Sequence, residues 1–357
     1  MSLLTRIRSL FTDTNRIRTE DSQTDQQSLL NHLPVDLQFL IMTFLPPEDL
    51  CRLGGTARYW RSMVRDPLLW RYFLIRDAPR WTSVDHLSTP RGEFLSESVG
   101  DEMETERGML DYMAEYLRCS PACRFRQPRP PPSALSFLSG FLVPETEPRF
   151  AMFGAGLEQL DESLVTVMMN SPHVLGLGGI PQRQINGIGS GISFIYGGQH
   201  KFNIITLYST NRAERERARV DRSAVSSKIF IQEDDDGSGR PRISVAPQIQ
   251  EVIRAVNGFI YVVNAEQEAV KVREDEWTQI IAVLQPDFGS TSRPLLVLSC
   301  ISREEENQRT SPSVSVAHQL QLHLLPNPWM VQDVVAASLS GLTDGMDWLL
   351  RHSGVRL

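Results

Sequence analysis

Between Leu33 and Trp70 the chain is punctuated so tightly that few folds accept it: LPVDLQFLIMTFLPPEDLCRLGGTARYWRSMVRDPLLW. Leu33-Pro34 opens the stretch, and proline suits the first turn of a helix because its missing N–H would have no intrahelical partner. Leu37, Leu40, Ile41 and Phe44 recur at helical spacing and form one apolar stripe. Leu45-Pro46-Pro47 stops that helix. Glu48-Asp49 then place negative charge at the start of the next, where the helix dipole favours it. Leu50 and Leu53 continue the apolar face, and Trp60, Val64, Leu68 and Trp70 close the stretch. A module of about forty residues buries only a small core by itself. The stripe therefore either packs on the rest of the chain or stays open for a partner helix groove.

The rest of the chain is ample. Its 357 residues leave room for roughly two or three domains. Hydrophobic residues at 41% and charged residues at 22% fit a globular protein. A net charge of −7 gives no basic footprint for nucleic acid. No apolar run approaches the roughly 18 residues that span a bilayer, and the N-terminus lacks the long apolar region of a secretory signal. Cys51, Cys119, Cys123 and Cys300 are too scattered for a disulfide scaffold, so reduced thiols in a cytoplasmic or nuclear protein are expected. Lys201, Lys228 and Lys271 are the only lysines among 36 basic residues.

Residues 1–28 read as a mobile tail or a short self-association helix, with a membrane role disfavoured because one short amphipathic helix binds poorly alone. After Trp70, residues 76–148 read as a helical linker domain packed on the first module, with a second amphipathic helix at Met109–Leu117. Its proline-rich run at 127–132 is a stiff linker. From Arg149 the pattern changes. Strands are expected at Phe150–Phe153, Ile192–Tyr196, Asn203–Tyr208, Gly258–Val263, Pro294–Cys300 and Trp329–Val331. Helices are expected at Leu157–Met169, Ala213–Phe230, Pro247–Val256, Arg273–Leu284, Val314–Leu325 and Ala336–Arg351. Strands alternating with helices imply a six-stranded, mostly parallel sheet over 149–357. Residues 233–242, with charge, Gly and Pro and no apolar residue, read as a disordered loop.

The Leu-Pro, Leu-Pro-Pro, Asp-Leu, Trp and Asp-Pro-Leu-Leu-Trp elements resemble an F-box, spanning 29–75. The later element order, with a glycine turn directly after the first strand (FGAG), resembles a Ras-like small GTPase domain. A phosphate loop needs G-x-x-x-x-G-K-[ST]. Counted from Gly154, the last three positions hold Gln159, Leu160 and Asp161; counted from Gly156 they hold Asp161, Glu162 and Ser163. Neither register supplies the lysine, and both put a carboxylate where phosphate charge would sit. The magnesium motif position holds Ser209-Thr210-Asn211-Arg212, and the guanine-reading position holds Ser299-Cys300-Ile301-Ser302. The domain is expected to bind no nucleotide, and no cofactor is implied. Gly187–Gly191 leads into a strand rather than a helix N-terminus, so it lacks the dipole that holds phosphate. Cys119 and Cys123 have no second pair for zinc, and His318 and His323 are off one helical face. Cys300 closes an apolar run and reads as a core thiol rather than a nucleophile.

With carrying stretches such as EPRFAMFGAGLEQL, QHKFNIITLYST, RPLLVLSCIS and PWMVQD, the chain resembles F-box substrate receptors of SCF ubiquitin ligases along nearly its whole length. The resemblance implies a non-catalytic receptor that binds a Skp-type adaptor, and through it a cullin and a RING subunit. Its α/β domain would hold protein substrates, in this family a telomeric repeat-binding factor and a D-type cyclin, for polyubiquitination and proteasomal degradation. It also implies a homodimer. The adaptor-contact candidates are Leu33, Pro34, Leu37, Ile41, Leu45, Pro46, Leu50, Trp60 and Leu69. Two surfaces are candidates for substrate: a small-to-apolar stripe Ser313, Val314, Ala317, Leu320 and Leu324 on the fourth helix, and the strand carrying Ile192 and Phe194, which the Ras-like order puts at a sheet edge. The alternatives are a nucleotide-regulated switch fused to an F-box and a scaffold working outside any ligase.

Overall fold

The computed structural model describes residues 29–95, 110–124, 147–161, 163–179, 191–207, 229–233, 242–266, 273–304 and 309–354. The N-terminal tail, the proline-rich run, the loop 187–190, the magnesium-motif position 209–212 and the body of the helix expected over 213–230 lie outside them. The chain divides into two units. Residues 29–78, 90–95 and 110–118 form a helical unit; residues 79–89 and those from Cys119 onward form an α/β unit.

Proline sets the rhythm of the helical unit. A 3-10 turn at Leu29–His32 leads through extended Pro34 into α1 (Val35–Phe44). Extended Pro46 ends the break before α2 (Pro47–Thr56), and α3 (Arg58–Val64) and α4 (Pro67–Asp77) follow. Asp66 caps α4 by accepting the Leu68 N–H at 2.8 Å, which satisfies one orphan donor of the first turn. Leu50, Leu69, Trp70, Phe73 and Leu74 are fully buried, and the Trp70 indole donates to the Val64 carbonyl at 2.6 Å. After α5 (Gly92–Leu95), α6 (Tyr112–Cys119) brings Tyr116 to 5.4 Å from Trp70 between ring centroids and lets its hydroxyl donate to Asp77 at 2.8 Å. A short helix, α7 (Pro121–Arg124), follows. Buried Glu115 accepts from Arg118 at 2.6 Å and from the Arg91 N–H at 2.9 Å. Burial alone would raise its carboxyl; the Arg118 and Arg91 bonds and charges outweigh that and hold it below the usual range. The described residues of 76–118 are thus divided, with 79–89 in the α/β unit and 76–78, 90–95 and 110–118 in the helical unit.

In the α/β unit, β1 (Ser83–Asp85) comes first in sequence and lies at one edge. Then come β2 (Arg149–Phe153), the short helices α8 (Gly156–Gln159) and α9 (Leu164–Asn170), β3 (Gly176–Gly179), β4 (Gly191–Tyr196) and β5 (His200–Thr206). A ribbon of β6 (Phe230–Glu233) and β7 (Arg242–Val245) brackets the charged loop expected at 233–242. The unit continues with α10 (Pro247–Ala255), β8 (Gly258–Asn264), α11 (Glu274–Val283), β9 (Leu295–Ile301), α12 (Ser313–Gln319), β10 (Trp329–Val335) and α13 (Leu342–His352). The sheet order is β1-β10-β9-β8-β2-β5-β4-β3. The run from β10 to β5 is parallel, and β1, β4 and β3 are antiparallel to their neighbours. Every residue of β8 and β9 is buried, as expected of central parallel strands covered on both faces. Phe150, Met152, Ile260, Val262, Leu296 and Leu298 share one face with Leu164, Met168, Met346 and Leu349 of α9 and α13.

The sheet has eight strands among the described residues rather than the six expected. The glycine-rich stretch Gly176-Leu177-Gly178-Gly179, outside the expected strands, pairs with β4 through a register shift between Leu177 and Gly179. Consequently β4 is not an edge strand. The helix expected over Val314–Leu325 is also broken: Gln321 sits at φ 48°, and a 3-10 turn, Leu322–Leu324, follows.

Candidate protein-binding interface

Helix α1 is apolar on nearly every side, so its sequence alone does not say which side faces in. The structure turns Gln38, Phe39 and Met42 inward. The stripe turns outward: Leu37 is 45% exposed, Leu40 40%, Ile41 36% and Phe44 79%. Four large apolar side chains in helical register, open to solvent on a module this small, are the signature of a partner surface rather than of a core. Both ends of α1 are held from within the unit. Gln38 bonds the chain before the helix, and Arg76 of α4 donates to the Thr43 carbonyl at 3.0 Å. Asp77, at 2.6 Å from Arg76, keeps that guanidinium charged and aimed.

The adaptor-contact candidates divide by burial. Leu37, Ile41, Pro34 and Pro46 are exposed, and Leu33 and Leu45 are half-buried. Leu50, Trp60 and Leu69 lie inside the helical unit, where they hold α1–α4 together. Leu40 and Phe44 belong with the exposed group; the i, i+3, i+7 spacing from Leu37 marks them.

The turn after β2 sits where a phosphate loop would be. Gly154 adopts φ +122°, and a Cβ there would lie 2.5 Å from the Val262 carbonyl oxygen; one on Gly156 would meet Val263 at 2.8 Å. The turn is pressed onto β8, and Leu157 and Leu160 behind it are buried. At the carboxyl ends of the strands, the usual ligand position of an open α/β sheet, polar groups bond one another. Arg309 donates to the Ser299 carbonyl at 3.0 Å and hydroxyl at 2.8 Å, to Asp333 at 2.9 Å and to the Val334 carbonyl at 3.2 Å. Arg273 donates to Glu276 and to the Asn264 carbonyl, and the Ser302 N–H donates to Glu266. Burial pushes the Cys300 thiol up to about 12, which makes it an inert core thiol. Among the described residues no group of three or more metal-binding side chains is found, and no helix is long and apolar enough to cross a membrane.

The two substrate candidates fare differently from expectation. Ser313, Val314, Ala317 and Leu320 are buried, because α12 packs on β10 and β1, and the Ser313 hydroxyl donates to the Trp81 carbonyl at 2.6 Å. Only Leu324 of that stripe is exposed, at 59%. In β4, Phe194 is buried and Ile192 half-buried, and β3 covers the strand's outer edge. Sequence reading missed that Ser83–Asp85, far upstream, would supply the cover for α12.

Comparison with known proteins decides the family. A family profile described as F-box-like matches residues 30–76, the span of the 3-10 turn and α1–α4 up to Arg76. F-box only protein 4 of Bos taurus is 47% identical over 339 residues, which cover 94% of this chain and 87% of that protein. The chain belongs to the F-box only protein 4 family. The Homo sapiens protein of that name is 46% identical over 341 residues (94% of this chain, 87% of that protein), and that of Mus musculus is 46% identical over 331 residues (92% and 85%). In this F-box protein the matched segment is the one that presents the exposed α1 stripe.

Proposed function

We propose that this F-box protein is the substrate-recognition subunit of an SCF ubiquitin ligase. The α1 face binds a Skp-type adaptor, which joins it to a cullin and a RING subunit, and the α/β unit holds the substrate. The observation that carries this reading is the outward stripe Leu37, Leu40, Ile41 and Phe44 inside the F-box-like segment. The mechanism is positional: the receptor makes no bond itself and raises the effective concentration of substrate lysines near a charged conjugating enzyme. A telomeric repeat-binding factor and a D-type cyclin are the substrates the family resemblance suggests. The strand order β4-β5-β2-β8-β9-β10 supports a small-GTPase-like reading of the α/β unit. The pressed-down glycine turn and the self-bonded strand ends support a unit retained for its surface rather than for nucleotide chemistry. For the substrate, the edge-strand proposal moves outward to β3, where Leu177 is 47% exposed.

The test is affinity capture from cells with wild type and with Ile41→Arg, read by mass spectrometry. The variant is expected to lose adaptor and cullin peptides while keeping substrates. Retention of cullin by the variant would remove the adaptor role from α1.

A further inference from the structure

We propose that Gln38 is a positioning residue for adaptor binding, one that fixes the chain entering α1 and so places Leu33 and Pro34 beside Leu37; the inference rests on the adaptor reading of the α1 face. Gln38 is 1% exposed on a helix that is otherwise apolar inside. A buried amide is costly unless it is bonded, and this one is fully used. Its Nε2 donates to the Leu30 carbonyl at 2.9 Å and to the Leu33 carbonyl at 3.0 Å, and its Oε1 accepts from the Tyr59 hydroxyl of α3. Both carbonyls are acceptors only, so the amide has one orientation that works.

These bonds fall where the helix itself supplies nothing. The N–H groups of Leu37 and Gln38 both go to the Pro34 carbonyl. The Leu33 carbonyl lies two residues before the helix, and from the backbone the Leu30 carbonyl receives a long 3.4 Å contact from Leu33 N–H. Pro34 brings no capping side-chain bond of its own. Gln38 therefore reaches back and ties down one carbonyl within the Leu29–His32 turn and one just after it. Tyr59 in turn fixes the amide from α3. A side chain without donors would leave Leu30 and Leu33 free to swing, and Pro34 with them. The exposed stripe further along α1 would keep its place, because Phe39 and Met42 anchor it independently.

The experiment uses the full chain and the purified Skp-type adaptor, with binding kinetics measured beside hydrogen exchange. Gln38→Met keeps length and burial but cannot donate. It is expected to weaken adaptor binding about tenfold, chiefly through faster dissociation. Exchange should rise over residues 30–37 and stay at the wild-type level over 64–74, the stretch holding Trp70, Phe73 and Leu74. Tyr59→Phe removes only the third bond and is expected to stay within about twofold of wild type. Undiminished binding by Gln38→Met overturns the inference. So does weaker binding with exchange rising throughout 64–74, or with none at 30–37. A loss with Tyr59→Phe as large as with Gln38→Met puts the effect in the α3 link and overturns it too. If the wild-type chain itself fails to bind the adaptor, the adaptor reading falls, and that result is distinct from all of these.

Discussion

Asp333 shows how a single residue records what the strand ends of the α/β unit are for. It lies in β10 with Arg309 at 2.9 Å, and burial pushes its carboxyl up to about 7 against the pull of Arg309 and Ser299. The folded value exceeds the ordinary 3.8, so the folded chain holds this proton more tightly than the unfolded one. The associated stability is present in full below about pH 4 and is lost as pH rises through about 7. Asp333→Asn is expected to flatten the stability profile of the α/β unit between about pH 4 and pH 7. Denaturant unfolding at a series of pH values measures this; an unaltered slope in the variant would assign the pH dependence elsewhere. None of it is legible in the sequence, because Asp333 and Arg309 are 24 residues apart on either side of α12 and only the register of β9 and β10 brings them together.

Elements with a strong period were legible; those defined by a neighbour were not. The strands β8 and β9 are continuous apolar runs bounded by turns, and the prolines at 34, 46, 47 and 67 fix the starts of three helices. Helix α1 was legible as a helix but not in its rotation, because apolar residues occupy both its inner and outer sides, and burial went to Gln38, Phe39 and Met42. The α12 stripe failed for a related reason. A run of small and apolar residues suits a docking face and a sheet-packing face equally, and here β1 and β10 take it. Strand β3 failed because three of its four residues are glycine, which strands seldom use. If β3 accepts an extended substrate segment, Gly178→Pro should abolish substrate capture and leave adaptor binding intact. A Cβ at Gly178 meets Lys201 Cε at 3.0 Å and Ser193 Cβ at 3.1 Å, so β4 and β5 have to yield slightly. Circular dichroism of the variant separates loss of the edge from loss of the sheet, and capture undiminished by the proline would move the substrate to another surface.

On the scale of the whole molecule, composition and connectivity each carry a consequence. Lys201, Lys228 and Lys271 are the only lysines among 36 basic residues, and arginine does not accept ubiquitin. A receptor held beside a ubiquitin-transfer centre gains from that bias. Replacing several exposed arginines of the helical unit, such as Arg58 and Arg65, by lysine is expected to shorten the protein's half-life in cells by about twofold or more, at a charge-neutral cost in stability. A cycloheximide chase reads it, and an unchanged half-life would make the bias compositional.

The chain order of the two units has an evolutionary corollary. The path leaves the helical unit at Ala78, lays Ser83–Asp85 along the sheet, returns at Pro90 and departs again after Arg118. No single cut yields two complete halves: a break before residue 79 strips α5 and α6 from the helices, and one after residue 118 strips β1 from the sheet. The F-box-like segment itself, residues 30–76, ends before the first crossing, but a break at that crossing would take Trp70 and Asp77 away from Tyr116 of α6. Recombination that keeps the whole helical unit, α5 and α6 included, must carry the strand covering α12 with it.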